Sequence, residues 1–141
     1  MKDIKELDLI GWSECADLPL FKLKNLKAKI DTGAKTSALH AEEIELIFTR
    51  GKKWVRFAIL SDNGKKHYIK APFIEERTIK SSTGYKTIRP VVKTLIKLGT
   101  HEYEIEITLI NRDLMGFKML IGREALKNRF LINPARAHLL K

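Results

Sequence analysis

Apolar residues recur at every second position in several short runs of this chain, and that alternation fits strands buried on one face, not helices. Val92, Thr94, Ile96 and Leu98 alternate with Lys93 and Lys97 up to the turn Gly99-Thr100. Beyond it Tyr103, Ile105, Ile107 and Leu109 alternate with Glu102, Glu104, Glu106 and Thr108. The two runs form a hairpin with one wet face. Val55, Phe57 and Ile59 repeat the pattern, Ser61-Asp62-Asn63-Gly64 turns the chain before His67-Tyr68-Ile69, and Ser81-Ser82-Thr83-Gly84 marks a third turn. In 41–48, Ile44, Leu46 and Phe48 alternate while Glu42, Glu43 and Glu45 suit a helix, and we read this segment as strand. A short helix is expected over 123–128. Many short strands at regular spacing predict an all-β chain that closes into a barrel, with that one short helix towards the C-terminal end.

Composition narrows the partners. At 141 residues and 44% hydrophobic the chain is read as a single domain, 1–141, with room for one core. No apolar run approaches the length of about 18 residues needed to cross a membrane, and the opening Met1-Lys2-Asp3-Ile4-Lys5-Glu6 lacks the apolar centre of a signal peptide. A lone cysteine, Cys15, forms no internal disulfide, and we expect a cytoplasmic protein without a membrane partner. The net charge of +10 sets up a field that attracts anions. The basic residues are dispersed along strands and turns and the aromatics form no RNA platform, so no specific nucleic-acid partner is expected. An acidic polypeptide accounts for the same charge.

Two elements carry chemistry. In Lys29-Ile30-Asp31-Thr32-Gly33-Ala34 an apolar-alternating run ends in a carboxylate on a Gly-containing turn. A carboxylate that activates water needs a fixed position, so its strand must stop sharply; Gly33 permits the turn and the Thr32 hydroxyl is placed to bond locally and lock it. The second element is Lys118-Met119-Leu120-Ile121-Gly122-Arg123-Glu124-Ala125-Leu126, an apolar strand that reaches a Gly and passes into the short helix.

With both in hand, the chain resembles the retropepsin-like aspartic proteases, which pair a D-[TS]-G-[AS] turn with a later hydrophobic-hydrophobic-Gly-[RN]-x-x-L element. More closely, Gly11-Trp12, the block Lys27 to Ala41, Lys53-Trp54-Val55-Arg56-Phe57, Asn111-Arg112-Asp113, Met119 to Arg123 and Asn133-Pro134-Ala135-Arg136 resemble a bacterial RimB-like family. That family is often encoded beside RimK-type glutamate ligases and carries the label ATP-dependent zinc protease. The resemblance spans about residues 10 to 140. It implies a retropepsin-like closed barrel, Asp31 as catalytic residue, Thr32, Gly33 and Ala34 as its turn, and Leu120, Ile121, Gly122 and Arg123 as the supporting strand and helix. It also implies a hairpin flap, whose tip is placed at Ser81, Ser82, Thr83 and Gly84 by counting back from Gly122 across the long hairpin 86–110. Residues 41–73 then form an extra hairpin pair that compact retroviral enzymes lack.

Aspartic-protease chemistry needs two carboxylates in one site, and this chain has one Asp-Thr-Gly. Asp113 has no Ser-Gly or Thr-Gly after it and reads as a loop residue. The second carboxylate is therefore expected from a second copy of the chain, as a homodimer with Asp31 against Asp31 on its axis, and the apolar run Phe130-Leu131-Ile132-Asn133 is the candidate interface strand. Zinc and ATP find no support in the residues. There is no H-E-x-x-H, His40, His67, His101 and His138 stand apart, and Gly33-Ala34-Lys35-Thr36 lacks the spacing and upstream Gly of a P-loop. No metal and no cofactor are expected. Trp12 and Trp54 read as core aromatics and Cys15 as a small buried hydrophobe. The RimK association implies a glutamate-extended protein as substrate. The competing expectation is a barrel of the same fold that binds or assembles on acidic tails without cutting them.

Overall fold

The computed structural model describes residues 6–140 apart from 62 and 82. Among these residues eleven strands and one α-helix follow in order: β1 Asp8–Gly11, β2 Ser13–Leu18, β3 Leu23–Asp31, β4 Ser37–His40, β5 Glu42–Thr49, β6 Lys52–Leu60, β7 Lys66–Lys80, β8 Lys86–Leu98, β9 His101–Ile110, β10 Met119–Gly122, α1 Arg123–Leu126 and β11 Phe130–Asn133, with a 3-10 turn at Pro19–Phe21 between β2 and β3. The main sheet runs β2-β3-β10-β4-β9-β8-β7-β6-β5, and a pairing of Asp17 on β2 with Lys97 on β8 closes its first six strands into a ring. The expected all-β barrel is thus present, closed by that single bridge, with β7, β6 and β5 extending the sheet from its rim. No helix among the described residues is long and apolar enough to cross a membrane.

The alternation read from the sequence places the side chains. On β8, Val92, Thr94, Ile96 and Leu98 are buried while Lys93 and Lys97 are exposed; opposite them Ile105, Ile107 and Leu109 of β9 complete the inner face. Phe57 of β6 is fully buried and meets Phe21 edge to face at 5.5 Å. β7 is long enough to serve two partners. Lys66 to Pro72 pair with β6, and after an irregularity at Phe73 to Glu75 the remainder pairs with β8, which projects the β7–β8 hairpin beyond the barrel. Segment 42–49 is a strand, as read.

Phe130–Asn133, the expected interface strand, pairs in parallel with β1 from Asp8↔Phe130 to Gly11↔Asn133, and its other edge has no partner strand among the described residues. Two expectations need correction. Trp12 is 42% exposed, resting edge-on against Phe117, and Trp54 is half-buried beneath the Lys70 ammonium. Cys15 is exposed, on the outer face of β2. Residue type alone misled in these cases, because Trp12 beside β2 and Cys15 on it take outward positions that face solvent, and Trp54 takes a half-buried position on β6.

The two chain ends are tied together by a buried carboxylate. Glu14 accepts backbone N–H bonds from Gly11 at 2.7 Å, Leu139 at 2.9 Å and Leu140 at 3.1 Å. Gly11 is needed where it stands, since a Cβ there would lie 2.2 Å from the Arg136 carbonyl oxygen. A carboxylate that receives only donors is matched to its site, and an amide is not, because its NH2 would face another donor. Glu14→Gln is therefore expected to destabilise the fold by about 2–3 kcal/mol in urea denaturation at neutral pH. A loss below about 0.5 kcal/mol would show that this clamp contributes nothing.

Candidate active site

Strand β10 lies between β3 and β4, parallel to β3 with Gly122 opposite Asp31, and antiparallel to β4 with Leu120 opposite Ala38. The chain leaving β3 at Asp31 must therefore cross the end of β10 to enter β4. Gly122 sits under that crossing: a Cβ on it would lie 2.7 Å from the Thr36 carbonyl carbon and 2.9 Å from the Lys35 oxygen. This close backbone approach, not an unusual φ, is why the position holds Gly. The two motifs recognised in the sequence are thus one structure.

Backbone hydrogen bonds stitch the crossing loop to the strand and helix below. Arg123 N–H donates to the Ala34 carbonyl at 2.9 Å and Glu124 N–H to Lys35 at 3.1 Å, so the first free donors of α1 are satisfied by the Asp turn itself. Gly122 N–H donates to the Ser37 hydroxyl at 3.0 Å, and the Arg123 guanidinium donates to the Thr32 carbonyl at 3.2 Å. Asp31 closes the turn on its own: its Oδ1 accepts the Gly33 N–H at 3.1 Å and its carbonyl the Ala34 N–H at 3.2 Å. Two details differ from expectation. Thr32 is exposed and is held through its carbonyl instead of locking the turn with its hydroxyl. At Gly33 the crowding atom is the Asp31 carboxylate oxygen, which would stand 3.3 Å from a Cβ added there.

The helix is shorter than expected. It ends at Leu126 because Lys127 leaves helical geometry at ψ 140° and Asn128 adopts φ 64°. The Tyr103 hydroxyl donates to the Ala125 carbonyl and ties this helix to β9; burial pushes its pKa up to about 12, with the Arg129 charge opposing.

Asp31 opens into a cleft of about 710 Å³. Its walls include Gly33, Ala34, Leu120 and Arg123 from the supporting elements, and Arg77, Thr78, Ile79, Lys80, Ser81 and Arg89 from the projecting β7–β8 hairpin. The hairpin assigned as flap therefore does border the candidate catalytic turn. Its tip is a tight turn, with Ser81 N–H bonded to the Tyr85 carbonyl at 2.8 Å, Gly84 N–H to the Ser81 carbonyl at 2.9 Å, and the Ser81 and Thr83 hydroxyls 2.8 Å apart. Ser82 lies outside the described residues. Asp113 also borders the cleft, but its Oδ1 caps its own loop by accepting the Gly116 N–H at 3.1 Å. Among the described residues no group of three or more His, Cys, Asp or Glu side chains is placed to hold a metal.

The charge of this cleft was not visible in the sequence. Lys29, Lys35, Arg77, Lys80, Arg89, Arg112 and Arg123 line it, against only Asp31 and Asp113. Basic residues scattered over most of the chain are gathered by the fold onto one concave surface. Arg77 is neutralised by Glu75 and, at 3.1 Å, Glu106, and the Glu75 bond in particular holds its pKa above the ordinary value. Arg89 is half-buried, and its partners among the described residues are hydroxyls, Thr87 at 2.9 Å and Thr108 at 3.5 Å. Burial lowers its pKa, and the neighbouring Arg112 charge lowers it further.

A carboxylate turn locked beneath by a hydrophobic-Gly strand and helix, beside a hairpin that walls its cleft, defines the retropepsin-like class. The chain belongs to the RimB-like family, described as retropepsin-like aspartic endopeptidase RimB, whose profile matches residues 9–141. It is 40% identical over 130 residues to a protein of Desulfotalea psychrophila named "Probable alpha-L-glutamate ligase", and 38% identical over 135 residues to one of that name from Shewanella halifaxensis. These alignments cover 90% and 94% of this chain but 28% and 30% of the relatives, so the chain spans less than a third of their length. The crystal structure of a Legionella pneumophila protein of unknown function superposes with a TM-score of 0.79 at 31% identity, covering 95% of this chain and 98% of that one.

The lock under Asp31 predicts that Gly122→Ala destabilises the protein by about 1–3 kcal/mol, the usual cost of forcing a methyl into a closed contact. Denaturant unfolding measures this, and an unchanged midpoint would mean that the loop does not rest on Gly122.

Proposed function

We propose that the chain is an aspartic-type endopeptidase, active as a homodimer in which two Asp31 carboxylates share one site, and that it hydrolyses peptide bonds in acidic, glutamate-extended proteins. The observation that carries the reading is the Asp31 turn, pinned by Gly122 and Arg123 at the edge of a cation-lined cleft. Asp113 is committed to its own loop, which supports a second chain as the source of the other carboxylate. Two carboxylates held about 3 Å apart share a single proton. The ionised member removes a proton from water as it attacks the scissile carbonyl, and the protonated member donates to the carbonyl oxygen. The dyad titrates as a unit with two separated apparent pKa values.

The substrate class follows from electrostatics. Seven cationic side chains against two carboxylates favour an anionic peptide in the cleft, and the glutamate-ligase names of the relatives point to the same chemistry. Attraction of this kind weakens as salt shortens the Debye length to about 8 Å at physiological ionic strength.

A second reading has one observation in its favour. In the ligase-named relatives the matching region makes up less than a third of the protein, an arrangement that also suits a domain that binds acidic tails without cutting them. Asp31→Asn separates the two readings. An endopeptidase loses at least about 10² to 10⁴ in kcat on a glutamate-rich peptide, while folding and a particle mass of twice 16.2 kDa by light scattering persist. Equal cleavage by the wild type and the variant would remove Asp31 from the chemistry, and no cleavage by either with unchanged peptide affinity would favour the binding module.

A further inference from the structure

The cleft holds a feature that the catalytic reading leaves unused. Arg89, on the β8 arm of the projecting hairpin, is half-buried in the wall that borders Asp31, and Arg112 lines the same cleft from the loop after β9. Like charges on one concave surface repel each other, and a guanidinium withdrawn from water ordinarily has a carboxylate beside it. Arg77 on the same hairpin follows that rule, with Glu75 and Glu106. Arg89 does not: its donors reach the hydroxyls of Thr87 and Thr108, and among the described residues no carboxylate stands within ion-pair distance of Arg89 or Arg112. Burial and the Arg112 charge both disfavour the cationic form of Arg89, so the pair is poised to gain from an anion.

Building on the proposal that this cleft receives peptides, we infer that Arg89 and Arg112 form a carboxylate-binding subsite that selects a substrate glutamate beside the scissile bond. The planar fork of an arginine matches the two oxygens of a carboxylate, and a single carboxylate placed between two guanidinium groups relieves their repulsion while gaining charge-assisted hydrogen bonds. The hydroxyls of Thr87 and Thr108 hold the Arg89 fork without neutralising it. An arginine serving only the fold would instead have a partner of its own, as Arg77 has. The same chemistry fits a free C-terminal carboxylate, and the choice of peptides distinguishes the two sources.

The test measures binding by fluorescence anisotropy in an Asp31→Asn background, so that the peptide stays intact. The probes are a labelled oligoglutamate peptide, its C-terminal amide, and a series with single Glu→Gln replacements. The wild-type cleft should lose about 10-fold in affinity for one replaced position, and Arg89→Gln or Arg112→Gln should weaken the parent peptide about 10- to 100-fold while abolishing that discrimination. Arg89→Lys should recover only part of the affinity, because an ammonium lacks the fork. If the amide reproduces the loss instead of an internal Gln, the subsite stands and reads the chain end. Lys24→Gln, an exposed charge on β3, serves as control for net charge, and unchanged thermal midpoints confirm folding. Loss of affinity no greater than in Lys24→Gln, or unaltered Glu-against-Gln discrimination in both arginine variants, overturns the subsite. Asp31-dependent cleavage with no effect of either arginine removes the subsite and leaves the endopeptidase, whereas arginine-dependent binding without Asp31-dependent cleavage does the reverse.

Discussion

The crossing of residues 32–36 over the end of β10 is the contact on which the rest of this site depends. Two backbones meet there with no side chain between them, which only Gly122 permits, and the first N–H groups of α1 turn up into the crossing loop to satisfy Ala34 and Lys35. Hydrogen bonds of this kind are individually modest, but an unmet buried donor is costly, so loop and helix start form or fail together. Asp31 inherits its position from that mutual satisfaction. The β-strand order also follows from it, because β10 can enter between β3 and β4 only if the connecting loop rises over it.

Around this fixed carboxylate the fold spends stability on electrostatics. Cationic side chains from β3, the crossing loop, both arms of the β7–β8 hairpin, the loop after β9 and α1 converge on one cleft. Converging like charges oppose folding, and Arg77 with its two glutamates is the one member of the group with ion pairs among the described residues. A concave surface left with excess positive charge concentrates anionic ligands.

Much of the architecture was legible because period-two patterning is a local property. The β8–β9 hairpin, the strand at 42–49 and the turn at Ser81–Gly84 each declare themselves within a few residues. The Asp31 and Gly122 elements were legible as motifs, although their contact across most of the chain's length required the resemblance to a known family. What escaped was set by tertiary placement. Pairing of Phe130–Asn133 with Asp8–Gly11 depends on which edge the folded rim leaves open, and the exposure of Trp12 and Cys15 on which side of that rim they face. Helix α1 stops early because Lys127 leaves helical geometry, which its residue type does not announce, although Asn128 after it is a residue type that favours the left-handed conformation it adopts. The cationic cleft escaped for the same reason: Lys29, Arg77, Arg89, Arg112 and Arg123 look dispersed along the chain and become neighbours only once the sheet closes.

The central claim is that catalysis requires two Asp31 side chains from two chains, and subunit mixing tests it most directly. Wild-type and Asp31→Asn chains are unfolded together, refolded at varying ratios and constant total concentration, and assayed on a glutamate-rich peptide. A shared dyad predicts activity that falls as the square of the wild-type fraction, because every mixed dimer has one carboxylate and one amide. Activity that falls in direct proportion to the wild-type fraction would mean that each chain works alone, and would contradict the account.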